Sequence, residues 1–173
     1  MTVHRFTPLP KVPARGRLIV SEGVIAPTRA ALQSSATNGR PDEGLVLWLG
    51  RNIDDTSVVL ACAAPRTSHD RGRVQIDEDA VSAAASAARA HGLGVIAQVH
   101  SHPGWDTRHS DGDDQMVLMP YESMFSLVIA DYGLGSMHPA DGAGLHQFQD
   151  GRWIQVSNPE SLMVVPHFLG GVK

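Results

Sequence analysis

The chain of 173 residues has a single cysteine, Cys62, which excludes an internal disulfide and any zinc cage built from several cysteines. It contains no run of about 18 uncharged apolar residues, so no transmembrane helix is expected. Aromatic residues make up only 5% of it. Basic residues are also few, 14 against 18 acidic ones for a formal charge of −4, and they are scattered singly. The basic stripe that a nucleic-acid partner demands is therefore missing. Met1 to Gly16 has no apolar stretch of the secretory type, so the expected location is the cytoplasm.

What is present fits one compact domain. Hydrophobic residues make up 42% and charged residues 18%, too apolar for disorder. A chain of this size buries about 70% of its unfolded surface. Residues 1–16 hold three prolines and read as an extended or disordered arm. Leu18-Ile19-Val20 suggests a first strand, and Pro27 opens a short helix over Thr28 to Thr37 that closes at Asn38-Gly39. Leu45 to Leu49 and Val58 to Ala64 are apolar runs expected to pair as strands. The Arg66, Arg71 and Arg73 group is expected in a solvated loop.

The clearest helix runs from Asp77 to His91. Asp77 can cap it, Glu78 and Asp79 suit its positive end, and Gly92 supplies a left-handed exit. Val95 to Val99 is the next strand, and a second helix is expected over Ser110 to Met119, ending at Pro120. Phe125 to Ala130 is another strand, and Leu145–Phe148 and Trp153–Val156 make a hairpin around Asp150-Gly151. The expected fold class is α/β with a mixed sheet.

The chemistry concentrates where the strand ending at Val99 runs into His100-Ser101-His102-Pro103. Alternation puts His100 and His102 on one face, and Pro103 stops the strand there. Six residues further on comes Ser110-Asp111-Gly112-Asp113. Two imidazoles and one carboxylate make a three-ligand zinc site with a fourth position for water. Each half alone has a plainer reading. A His-x-His pair is common in loops, and Ser110-x-x-Asp113 is also a helix-capping pattern.

Together these residues resemble the JAMM motif of the MPN-domain (JAB/Mov34) metalloproteases, in a prokaryotic-type form. Glu43-Gly44 followed by Leu45 to Gly50 is similar to the family's upstream glutamate element, and the similarity extends over about residues 17–156. The resemblance implies an MPN domain over 17–156, with an arm over 1–16 and an extension over 157–173. It also implies a mixed sheet flanked by helices in a three-layer arrangement like that of cytidine deaminases. A deaminase itself is excluded, because the Pro-Cys-x-x-Cys half of that signature is missing.

For the site, the resemblance implies zinc held by His100, His102 and Asp113. Glu43 would move the proton and Ser110 would bind the oxyanion. Asp42 competes for the acid role, and Asp111 and Asp114 flank Asp113. The implied activity is hydrolysis at the C-terminal glycine of a ubiquitin-like protein. The alternatives are a hydrolase of small conjugates on a sulfur-carrier protein and a non-catalytic MPN scaffold. Trp105 is expected either to touch substrate or to pack on its own domain. Cys62 reads as a core thiol, and His69, His138, His146 and His167 as surface residues.

Overall fold

The computed structural model describes residues 7–115 and 120–170. The strands are β1 (Lys11–Val12), β2 (Arg17–Ser21), β3 (Ala36–Thr37), β4 (Arg40–Pro41), β5 (Leu45–Ile53), β6 (Thr56–Ala63), β7 (Thr67–Asp70), β8 (Arg73–Ile76), β9 (Gly94–Ser101), β10 (Phe125–Ile129), β11 (Gly144–Gln149), β12 (Arg152–Val156) and β13 (Leu162–Val165). Two α-helices, α1 (Ile25–Gln33) and α2 (Glu78–Ala90), accompany them among the described residues. Nine strands form one mixed sheet in the order β1-β12-β11-β10-β9-β5-β6-β2-β13. The centre of that sheet is β9, parallel to β10 and antiparallel to β5.

Alternation along β5 sorts the core into two layers. Val46 and Trp48 join the cluster that α1 covers through Leu32, while Leu45, Leu47 and Leu49 join the one that α2 covers through Ala80, Ala84 and Ala88. The Trp48 indole donates to the Thr28 hydroxyl at 2.8 Å, which satisfies a buried polar group and ties α1 to the sheet. The three buried alanines of α2, four residues apart, let that helix lie close on β5 and β9. As expected, the Asp77 carboxylate caps α2 by accepting from the Ala80 N–H at 2.7 Å.

Other expectations need correction. The first helix begins at Ile25 and stops at Gln33, two residues before Pro27 and well before Thr37. Proline is tolerated there because the first-turn N–H groups have no helical partner. Asn38 and Gly39, both with positive φ (53° and 74°), form the turn between β3 and β4 instead of closing a helix. The Arg66–Arg73 stretch is a β7–β8 hairpin, not a loop. Only Asp113–Gln115 of the expected 110–119 helix is described as helical, a 3-10 turn, and residues 116–119 lie outside the described residues.

The sheet also takes in strands from both flanks of 17–156. β1 pairs in parallel with β12, and β13 pairs in parallel with β2.

A candidate metal centre at the end of the central strand

His100 is the penultimate residue of β9, directly across from Leu45 of β5 and Val128 of β10. His102 follows just beyond the strand, where its N–H still donates to the Ile129 carbonyl at 2.9 Å. From there the chain loops out and comes back at Ser110. That loop is seated by Gly144 of β11, where any Cβ would lie 1.8 Å from the Thr107 carbonyl oxygen. Only glycine permits such a backbone approach.

The loop returns Asp113 to the two histidines. The Nε2 atoms of His100 and His102 lie 3.2 Å apart. Asp113 reaches His102 Nε2 with Oδ2 at 3.1 Å and His100 Nε2 with Oδ1 at 3.4 Å. All three residues are buried. Zinc–nitrogen bonds of about 2.0–2.1 Å in a tetrahedron put two nitrogens about 3.3 Å apart, so the imidazole spacing suits that ion. His102 Nδ1 donates to the Asp106 carbonyl at 2.7 Å, which leaves a lone pair on Nε2 facing the cluster. The three side chains, with their ligand atoms within 4.8 Å of one another, are a group that could hold a metal cation.

The ionisation tendencies of His100 and Asp113 agree with that reading, whereas that of metal-free His102 favours the cation, whose Nε2 proton a metal would have to displace. Complete burial keeps His100 below its ordinary range, and therefore neutral. Burial alone would push the Asp113 carboxyl up, but the adjoining His100 and His102 override it and hold the group far below the usual carboxylate range. His102 is likewise disfavoured as a cation by burial, yet the Asp113 carboxylate, the Asp106 carbonyl and Glu43 outweigh this and raise it.

Ser110 and Asp113 satisfy both readings of their spacing. The Ser110 N–H donates to Asp113 Oδ2 at 2.6 Å, and the Asp113 N–H donates to the Ser110 hydroxyl oxygen at 3.3 Å. This reciprocal cap fixes the same carboxylate that faces the histidines. Because the hydroxyl acts as an acceptor there, its own hydrogen remains to be donated.

Glu43 approaches from the neighbouring strand. The ladder of β5 with β9 extends one residue past Leu45, with the Ser101 N–H donating to the Gly44 carbonyl and the Gly44 N–H to the Ser101 hydroxyl. Glu43, two residues before Leu45, shares the face of His100. Burial pushes its carboxyl up to about 7, with His102 drawing it down and Asp113 adding to the rise. Glycine directly after Glu43 has a steric cause, since a Cβ at Gly44 would stand 2.7 Å from the Leu32 carbonyl oxygen at the end of α1. Asp42 turns away. It accepts from the Thr37 hydroxyl at 2.5 Å and meets His69 Nδ1 at 3.0 Å, and the Thr37 hydrogen bond leads in holding it below the usual range.

A profile described as prokaryotic homologs of the JAB domain matches residues 26–139, which contain every residue of this cluster. The chain belongs to that family. This JAB domain is also 29% identical over 117 residues to a probable metalloprotease of Sinorhizobium fredii, across 62% of the chain and 67% of the relative. A protein of Desulfitobacterium hafniense known from a solution structure shares the fold, with a TM-score of 0.63 at 16% identity over 87% of this chain and 94% of that one. The family and the curated relative support an activity of the metallopeptidase kind. Among the described residues of the JAB domain, no helix is long and apolar enough to cross a membrane.

Two histidines near the centre stand differently from their sequence reading. His146, expected at the surface, is fully buried in β11, and His109, singled out for nothing, is buried beside it. Their imidazoles stack with centroids 4.0 Å apart. The available signal was the polar residue in each apolar strand nearby, Gln98 in β9 and Ser126 in β10, because buried polar groups need partners. Trp105, in the loop between the histidines and Ser110, is 79% exposed and so does not pack on its own domain.

Proposed function

We propose that this JAB domain is a zinc-dependent peptidase that hydrolyses the amide or isopeptide bond after the C-terminal glycine of a ubiquitin-like protein. One observation carries the chemistry: a buried carboxyl with its pKa near 7, Glu43, shares a sheet face with the converging His100, His102 and Asp113. When bound, zinc supplies Lewis acidity and makes a water ionisable near neutral pH.

The chain's own groups do the rest. Glu43 takes the proton of the attacking water and returns it to the leaving amine, and a pKa near operating pH suits both transfers. Ser110 donates its hydroxyl hydrogen to the oxyanion that develops on the carbonyl. His100, kept neutral by burial, and Asp113, kept ionised by its neighbours, are each in the form that ligates. Water opens the bond directly, with no covalent acyl intermediate on the protein.

The substrate class rests on the JAMM resemblance and on the shape of the surroundings. The β7–β8 hairpin lies outside the main sheet, and its Asp70 carbonyl accepts the Glu43 N–H at 3.0 Å. An extended glycine tail can add to such a hairpin edge through main-chain hydrogen bonds with little demand on side chains. The exposed Trp105, in the loop between His102 and Ser110, offers an apolar surface to the substrate body.

The test is a panel of fusions that share one ubiquitin-like tail and differ only after the scissile bond. Cleavage of many members after the terminal glycine is expected. Turnover of small acyl–amino-acid conjugates alone would instead assign the protein to carrier-bound small conjugates. A zinc-loaded protein that cleaves nothing would be a scaffold. On the cleaved substrate, Ser110→Ala is expected to lower kcat about 10²–10³-fold, the ordinary loss for one oxyanion donor.

A further inference from the structure

Beneath the metal centre lies a row of polar side chains that the proposed chemistry does not use. Gln98 of β9, Ser126 of β10 and His146 of β11 are direct cross-strand partners, so they stand side by side on the face that also carries His100. All three are fully buried. Three polar residues at the same level of a sheet centre are unfavourable unless something satisfies them.

His109 meets part of that need, giving Ser126 and His146 each a partner, while Gln98 Oε1 and His146 Nδ1 stay without one among the described residues. It comes from the loop that leaves His102, and its ring enters the row with Nε2 2.8 Å from the Ser126 hydroxyl. It lies flat on His146, and its backbone N–H donates to His146 Nε2 at 3.3 Å. The Ser126 hydroxyl oxygen accepts from Gln98 Nε2 at 3.1 Å. Trp153 closes the far side, edge-on at 5.1 Å, and the His100 ring is 5.8 Å away on the near side. On its outer side His109 Nδ1 meets Asp114 Oδ1 at 3.3 Å.

The consequence is positional. His109 immediately precedes Ser110 and is four residues from Asp113, so the point where it plugs into the sheet fixes where the Ser110–Asp113 cap begins. A second tether upstream, the Thr107 hydroxyl donating to the Gly142 carbonyl at 2.9 Å, holds the loop on the same side. His100 is held by β9 alone and Asp113 by the loop. A fixed distance between loop and sheet is therefore what brings carboxylate and imidazole to one point.

We propose that His109 is a positioning residue for the metal centre. Seated in the Gln98–Ser126–His146 row, it sets Asp113 against His100 and His102. This rests on the proposed metal site and adds to it a group that touches neither metal nor substrate. An apolar residue of similar size would fill the space but would lose the hydrogen bonds that fix the register of the loop.

The test compares the wild type with His109→Leu, His109→Gln, Ser126→Ala and the Leu/Ala double variant. Zinc affinity is read by chelator competition, the visible spectrum of the cobalt-substituted protein reports ligand geometry, and hydrogen exchange of residues 103–113 is followed in the metal-free form. His109→Leu is expected to keep its far-ultraviolet dichroism, bind zinc about 10–100-fold more weakly, as outer-shell changes do, and shift the cobalt bands. Exchange in the loop should quicken before any metal is added. Ser126→Ala should act in the same direction, His109→Gln should recover part of the loss, and the double variant should be no weaker than His109→Leu, because the two residues act through one contact.

If His109→Leu fails to fold, Ser126→Ala, which removes a single oxygen, decides the matter with the same readouts. Wild-type zinc affinity, cobalt spectrum and exchange in both single variants would overturn the role of His109 while leaving the metal site standing. A wild-type protein that binds no zinc would overturn the metal site and this role together.

Discussion

Asp113→Ala and His100→Ala are each expected to reduce the zinc content of the purified protein from near one equivalent per chain to a small fraction. Either change removes one of the three proposed ligands, the group that converges among the described residues, so the loss should exceed the roughly 10–100-fold that outer-shell changes cause. Two controls isolate the ligand. Asp111→Ala and Asp114→Ala flank Asp113, but the three-residue cluster does not include them. Asp111→Ala should leave the metal content unchanged. Asp114→Ala should change it only modestly, through the contact with His109 Nδ1. Elemental analysis after gel filtration measures all four. Full zinc retention in both Asp113→Ala and His100→Ala would rule out the ligand set.

Glu43→Ala is expected to lower kcat/KM by about 10⁴-fold, the upper range for a group that acts as general base and then acid. Fold and zinc should both remain, because Glu43 is not among the three side chains that converge. The pH dependence identifies the group more directly. Burial raises the Glu43 carboxyl to about 7, and only its ionised form can accept a proton. The wild-type rate should therefore fall about tenfold per unit as pH drops below that value and level off above it. A bound cation would favour the carboxylate, so in the loaded enzyme this limb lies at 7 or lower. Glu43→Gln should remove the limb along with the activity. An unchanged profile at near wild-type rate would transfer the role to another acid. Asp42 fits that role poorly, because its carboxylate is occupied by Thr37 and His69 on the other face.

Much of this centre is legible in the residues. The His-x-His-Pro end of a strand and the Ser-x-x-Asp return are local patterns, and β9 and the Ser110–Asp113 cap bear them out as geometry. The capped α2 and the pairing of β5 with β6 follow from equally local rules, an N-cap aspartate and two apolar runs across a polar turn. What stays hidden is non-local. The pairing of β13 with β2 joins residues about 144 positions apart, and two short parallel strands carry no turn signal to announce it. The stacking of His109 on His146, 37 residues apart in sequence, depends on the register of β10 with β11.

The first helix shows a different kind of miss. Proline marked its start, but the helix begins two residues earlier, because a proline needs only a position whose N–H is unpaired. Asn38-Gly39 is an equally good signal for a helix end and for a hairpin turn. Tertiary pairing of β3 with β4 decides for the turn.

The measurement that bears most directly on the central claim is a zinc titration of the metal-stripped wild-type protein, with hydrolysis of a ubiquitin-like fusion followed at each addition. A site of two imidazoles and one carboxylate, served by Glu43 and Ser110, predicts no cleavage before zinc is added. The rate should then rise linearly to a break at one equivalent per chain and be abolished again by chelator. Cleavage that proceeds at full rate in the stripped protein would contradict the account.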